Sequence, residues 1–401
     1  MAVARATRRL LLSRRGYPAP TQPQLVATFC AINNGAFVQQ AAGNVRNLVR
    51  TGHRSGRVPA RKLQIADSLI FLGANGAESS SATVNTYERA IEINGVTTRL
   101  LYGGANSMGI SGTQWALTDI LDGVELPPDN DFFVRLNRSV PLDTNSYIGH
   151  ALVVPAGQGF RTGGASQLLG TGAMNSSGTA AGPQVVPNGI FGIPIYPMAC
   201  VGFIGDSIMN YRDSANTAAE GAAWAMAFNN ILGSAVPWMK QTQNGHNFGN
   251  ASMANAPQQK LFWPYLTDIF VELGRNSMPS SGTAAERFAI LQAGLDNLLN
   301  GARALIGPYG IRLRTHVSTI LPDASFDATQ DATRALYRDY ALTGGAGKID
   351  KGYDTAAVVS PPAGWGTDGT HPPTIEHQAM VPVIREGFAP FLDPYYLPLA
   401  A

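Results

Sequence analysis

The sequence predicts two joined parts: a β-rich module, then an α/β unit whose parallel sheet carries helices on both faces. Three observations predict this. First, 401 residues with 45% apolar and 14% charged side chains exceed one ordinary domain and can fill two buried cores. Second, 44 Gly and 26 Pro cut the chain into many short elements, unlike a helical bundle. Third, the pattern changes after Pro197, from alternating runs with turn dipeptides to short apolar runs that alternate with helix-period segments.

Residues 1–60 read as a basic arm, within which 25–38 suits a strand or a short helix. The β-rich module, sandwich or jelly-roll-like, spans 61–198. Its clearest signal is Ala90-Ile91-Glu92-Ile93, then Asn94-Gly95, then Val96-Thr97-Thr98-Arg99, because Asn-Gly supplies the positive φ angles of a type I′ hairpin turn. Runs 131–136 and 147–154 continue the series. Residues 156–198 are rich in Gly, Ser, Ala and Pro and show no period. The third part, 199–401, opens with the apolar run 201–204 ending at Gly205, as a buried parallel strand would. Helix 217–232, strand 268–273, helix 283–306, strand 311–321, helix 328–342 and helix 375–391 follow. In helix 283–306, Phe288, Leu291, Leu295, Leu298 and Leu299 share one face, and Gly307-Pro308 stops it.

The net charge of +2 conceals an asymmetry. Residues 1–66 hold eleven bases and no acid, and the remainder holds 18 bases against 27 acids. A basic segment on an acidic body suggests docking on a partner subunit, a second copy, nucleic acid or anionic lipid; a solvated tail is the alternative. No run approaches the roughly 20 apolar residues of a spanning helix. Leu10-Leu11-Leu12 is too short for a secretory core, and Arg14-Arg15 leads into Gly-Tyr-Pro, so no export signal is expected. Cys30 and Cys200 make no disulfide framework, and Cys200 beside an apolar run reads as a small buried side chain.

Three short segments fall at predicted strand ends of the alternating region, where open parallel sheets place their ligands. They are Gly205-Asp206-Ser207, Gly274-Arg275-Asn276 and, ahead of the last helix, Asp368-Gly369-Thr370-His371. A weaker fourth is Asn247-Phe248-Gly249. A serine hydroxyl needs a base to accept its proton, an imidazole can do so, and a carboxylate can orient that imidazole. The plain alternatives stay open: Ser207 as a helix cap, His371 as a structural histidine, Asn276 as a turn residue, and Gly245 in place of Gly249. No G-x-S-x-G or phosphate loop occurs, and no nucleotide or other cofactor is signalled. Asp368, His371, Glu376 and His377 match no zinc spacing. His53, His150, His246 and His316 receive no role.

The order GDS, N-x-G, G-x-N, D-x-x-H resembles the four blocks of the SGNH (GDSL-like) hydrolases over about 200–392. The resemblance implies a flavodoxin-like three-layer fold and a serine esterase with Ser207 as nucleophile, His371 as base and Asp368 as its orienting acid. It also implies an oxyanion hole from the Ser207 and Gly249 amides and the Asn276 side chain. Many such enzymes with a β module remove acetyl groups from carbohydrates, so O-deacetylation of a polysaccharide or oligosaccharide is expected. A phage-like particle, as a head spike or tail fibre, is the expected setting, and a non-catalytic glycan-binding protein on the same fold is the alternative. Two departures stand out: Ser277 replaces the usual Asp after G-x-N, and bulky Ile208-Met209 follow GDS, which leads us to expect altered support and an altered acyl pocket.

Overall fold

The computed structural model describes residues 19–395, apart from 35–36, 40–45, 74–75, 81–82, 140–144, 148–158, 163–167, 173–185, 211–222, 253 and 366–367. Two antiparallel sheets form the N-terminal part. One orders Gln24–Leu25, Gly189–Pro194, Ala60–Ser68 and Trp115–Leu117. The other orders Val96–Leu100, Asn85–Ile93, Asp131–Ser139, Arg46–Arg54 and Gly159–Thr162, with Met108–Ile110 also on Asn85–Ile93. Leu63 and Ile65 of the first join Ile91, Phe132 and Val134 of the second in one buried cluster, which gives the expected sandwich its core. The hairpin forms as read: Asn94 and Gly95 have φ of 50° and 79°, and Ile93 pairs with Val96.

The second part is a six-stranded parallel sheet. We number its strands β1 (Cys30–Ala31), β2 (Val201–Gly205), β3 (Trp238–Thr242), β4 (Asp268–Glu272), β5 (Arg314–Ser318) and β6 (Lys351–Tyr353). Their order is β1-β3-β2-β4-β5-β6. The helices are α1 (Ala223–Phe228), α2 (Phe248–Ala251), α3 (Ala284–Arg303), α4 (Ala328–Leu342) and α5 (Thr374–Phe388). Strand alternation produces the three layers. Val201, Phe203 and Phe270 face the cluster containing Trp224 of α1 and Ile384 and Phe388 of α5. Ile204, Ile269 and Val271 face Leu291, Leu295 and Leu298 of α3. Thr283 and Glu286 cap α3 reciprocally, and Asp327 and Gln330 do the same for α4. No helix among the described residues is long and apolar enough to cross a membrane.

Several expectations need correction. Residues 1–60 are not an arm throughout. Arg5, Arg8, Arg9, Arg14 and Arg15 lie outside the described residues, but Arg46–Arg54 runs between two strands of the second antiparallel sheet. Its Arg50 is buried because Glu92 takes it in a two-point ion pair, Nε–Oε2 3.0 Å and Nη2–Oε1 3.1 Å. The boundary at 199 is also crossed, since β1 comes from the N-terminal part and lines the edge of the parallel sheet beside β3. Within the unpatterned 156–198, Gly189–Pro194 is a sheet strand with one bulge. The helix expected at 217–232 is described only from Ala223 and stops at Phe228, ahead of a turn in which Leu232 and Gly233 have φ of 53° and 86°. Strand 311–321 is shorter, Arg314–Ser318, and most of 147–154 lies outside the described residues. Cys30 and Cys200 are free and buried.

Candidate active site

Strand β2 ends in Gly205, where a Cβ would stand 2.5 Å from that of Met209. Glycine is therefore needed for the chain to fold back immediately after the strand. The turn is closed by Asn210 N donating to Asp206 O at 2.8 Å and Ile208 N donating to Asp206 Oδ1 at 2.9 Å. It presents Ser207, 6% exposed, beyond the C-terminal end of β2. Ile208 and Met209 turn inward onto the core with Trp224 rather than forming a surface.

The histidine arrives on the loop before α5. Gly369, at φ 62°, passes so close to Ala324 that a Cβ would stand 2.5 Å from that residue's own, and Ala324 N donates to Gly369 O at 3.0 Å. This fixes Asp368 and His371 on one tight loop. Asp368 Oδ1 accepts the amides of Thr370 and His371, both at 3.0 Å, and its Oδ2 lies 2.7 Å from His371 Nδ1. His371 Nε2 lies 2.8 Å from Ser207 Oγ. Partial burial works to raise the Asp368 carboxyl, but the His371 ring and the two amides together hold it well below the usual carboxylate range. An ionised Asp368 assigns the tautomer: Nδ1–H donates to the carboxylate, and Nε2 is left to accept from the serine hydroxyl.

That relay stands at the rim of the parallel sheet, its residues in the block order of the sequence. The C-terminal unit is a three-layer α/β/α fold that carries it. No protein-family model and no curated protein matches the chain. Among solved structures, a member of the lipolytic G-D-S-L family from Veillonella parvula is 14% identical, with a TM-score of 0.36 over 48% of this chain and 98% of that one. A catalytic mutant of Axe2, an acetylxylan esterase from Geobacillus stearothermophilus, is 15% identical, with a TM-score of 0.34 over 47% and 93%. A family two carbohydrate esterase from Clostridium thermocellum, in complex with cellohexaose, is 10% identical, with a TM-score of 0.33 over 86% and 94%.

The other predicted residues of the C-terminal unit gather around the same turn. Asn276 donates from Nδ2 to Asp206 Oδ2 at 3.0 Å and to His246 O at 3.3 Å, while its Oδ1 accepts from Arg275 at 3.2 Å. Both amide hydrogens therefore have protein acceptors. Gly249 is the second residue of α2, and neither its amide nor that of Ser207 has an acceptor among the described residues. Gly245, with φ of 74°, serves the turn before it. Ser277 supports the same loop, because its Oγ accepts from Phe248 N, the first amide of α2, at 2.8 Å. Glu376 instead accepts from Ser360, and no acid–histidine group suited to a metal occurs among the described residues.

Three site residues have no sequence signal. Arg275 ties Asp323, the Asn276 side chain and Thr370 Oγ1 together, joining two motifs to the end of β5. Lys240 is buried, which pushes its ammonium down to about 7, and it donates to Asn210 O at 3.2 Å. Glu272 closes β4 opposite Gly205 and pairs with Asp206. Burial pushes Asp206 up to about 6, and burial with the Asp206 charge beside it holds Glu272 well above its ordinary value. Groups whose folded pKa is raised add stability that is full below the unfolded value, about 4, and that is lost as pH rises through the folded value. Glu272→Gln offers a donor to Asp206 and removes the raised carboxyl. Its unfolding midpoint, followed from about pH 4 upward, is expected to fall less steeply than the wild type's. Parallel curves would contradict a raised Glu272.

Proposed function

We propose that this chain is a serine ester hydrolase that works through an acyl-serine intermediate. What supports the reading is the unbroken relay from Ser207 Oγ to His371 Nε2 at 2.8 Å and from His371 Nδ1 to Asp368 Oδ2 at 2.7 Å. As Ser207 Oγ attacks an ester carbonyl, its proton passes to His371 Nε2, and Asp368 stabilises the imidazolium. The new C–O bond leaves a tetrahedral oxyanion beside the Ser207 and Gly249 amides and the Asn276 Nδ2. Collapse breaks the bond to the alcohol, which leaves with the proton from His371. Water then repeats the sequence, giving its proton to His371, and the acid departs as Ser207 recovers its own.

For the substrate we favour O-acetyl groups on a polysaccharide or oligosaccharide, with the β sandwich presenting the glycan. The support is the joining of such a sandwich to an SGNH-type unit through one shared core. Release of p-nitrophenol from p-nitrophenyl acetate and p-nitrophenyl octanoate, and of acetate from an acetylated xylo-oligosaccharide, tests both levels. Turnover on acetyl esters above octanoyl, with acetate freed from the glycan, is the expected result. Preference for octanoate would point to a lipase-like enzyme, and glycan binding without turnover by folded protein would point to a binding protein. Within this scheme, Asn276→Ala should lower kcat by about 10²- to 10³-fold and leave KM nearly unchanged. Equal activity would remove Asn276 from the oxyanion site.

A further inference from the structure

The loop that carries Asn247-Phe248-Gly249 is held from outside the SGNH-type unit. A short sheet of Asn33–Asn34, Ile70–Leu72 and Glu78–Ser80 reaches over it from the N-terminal part, and its turn grips the loop at three points. Gln243 Nε2 donates to Leu72 O at 2.9 Å and to Gly73 O at 3.2 Å. Glu78 accepts the amides of Gln258 and Gln259, at 3.0 and 2.6 Å, at the start of the 3-10 helix that follows. Between these two anchors, the backbone of Gly76 packs directly against the His246 ring.

The middle contact is the tightest. Gly76 has φ of 80°, and any Cβ there would enter the His246 ring, with Nε2 at 2.8 Å among the atoms met. His246 is fully buried and its Nε2 has no hydrogen-bond partner among the described residues, so Gly76 seats that edge of the ring by packing. The opposite nitrogen, Nδ1, lies 3.2 Å from Gly205 O, two residues before the serine. Burial pushes the imidazole down to about 4, so the ring is neutral and carries its proton on Nδ1 toward that carbonyl. The carbonyl of His246 accepts from Asn276 Nδ2. One residue thus touches the chain leading to Ser207 through its ring and the Asn276 amide through its backbone.

We infer that Leu72, Gly73, Gly76 and Glu78 brace the oxyanion-binding loop of the esterase through the seat Gly76 makes for His246, which acts as a positioning residue. This rests on the ester-hydrolase reading above. The sandwich is then a working part of the catalytic unit. Moving the His246 ring would shift Gly205 and Asn276 together, and a displacement near 1 Å at such a site can lower the rate about 10²-fold.

The test compares kcat, KM and melting temperature on p-nitrophenyl acetate for wild type, Gly76→Ala, His246→Asn, His246→Leu and Gly76→Ala with His246→Asn. Asparagine can place its Nδ2–H where Nδ1–H was, while shortening the side chain on the Gly76 side. His246→Asn is expected to keep kcat within about 5-fold, and Gly76→Ala and His246→Leu to lose about 10- to 100-fold at little change in KM. The double variant should recover most of the loss caused by Gly76→Ala. Should Gly76→Ala fail to fold, the contrast between the two His246 variants reads the same point. Loss in the asparagine variant equal to that in the leucine variant, or full activity in Gly76→Ala, would overturn the brace while the wild type still turns over. A folded wild type without turnover would remove the esterase reading and this inference with it.

Discussion

Ser207→Ala is expected to lower kcat on p-nitrophenyl acetate by about 10⁴- to 10⁶-fold with no loss of thermal stability. The side chain is small, and its Oγ makes its hydrogen bond to His371 Nε2, so alanine removes the nucleophile and leaves the turn to Asp206 intact. His371→Ala should fall by a similar factor, and the double variant should be little worse than either, because the two groups act in one proton transfer. Multiplying losses would mean that the two residues act in separate steps. Retained turnover in Ser207→Ala would place the nucleophile elsewhere and end the acyl-serine scheme.

The largest effect on stability should come from a site without catalytic work. Asp268, Arg314 and His316 have no exposed side-chain surface. Asp268 accepts from Arg314 Nε and Nη2 at 2.8 and 2.7 Å, from Thr267 Oγ1 at 2.6 Å, and lies 2.8 Å from His316 Nε2. Arg314 also donates to the carbonyls of Phe391 and Asp393, at 2.9 and 2.7 Å, so it fastens the C-terminal turn under the sheet. Asp268→Ala strands the guanidinium without a counter-charge and should cost about 3–5 kcal/mol in urea unfolding at neutral pH. Burial alone would raise the Asp268 carboxyl, but Arg314 and His316 outweigh it and hold the group below its ordinary value. Its contribution is therefore present above the unfolded carboxylate pKa and fades as pH falls through the lower folded value. The gap between wild type and variant should narrow in acid. A gap that is small at neutral pH would show that water reaches Arg314.

The chemistry of this chain is legible in its sequence to an unusual degree because it sits where periodicity breaks. Ser207 follows an apolar run cut short by Gly205, and His371 stands just ahead of α5, so local signals mark both. The strands with apolar sequences are equally readable. Strand β3, Trp-Met-Lys-Gln-Thr, is not, since Lys240, Gln241 and Thr242 are buried there with partners that only the folded chain brings near. Strand β1 is two residues long and pairs with a segment far along the chain, and no local pattern encodes that. Arg50 reads as part of a docking surface because charge composition cannot see Glu92 across the sheet. Arg275 and Glu272 escape notice for the same reason: each works through a neighbour supplied by topology.

The placement of Cys30–Ala31 at the edge of the parallel sheet bears on how the protein could be shortened or recombined. Cys30–Ala31 closes the border of a sheet whose other strands all lie in the second half of the chain. Cutting at the composition change near 199 would strip that border and leave the backbone donors and acceptors of Trp238–Thr242 open to pairing with other chains. The halves are sewn together by a stitch, and swapping either for a foreign counterpart means carrying the thread along.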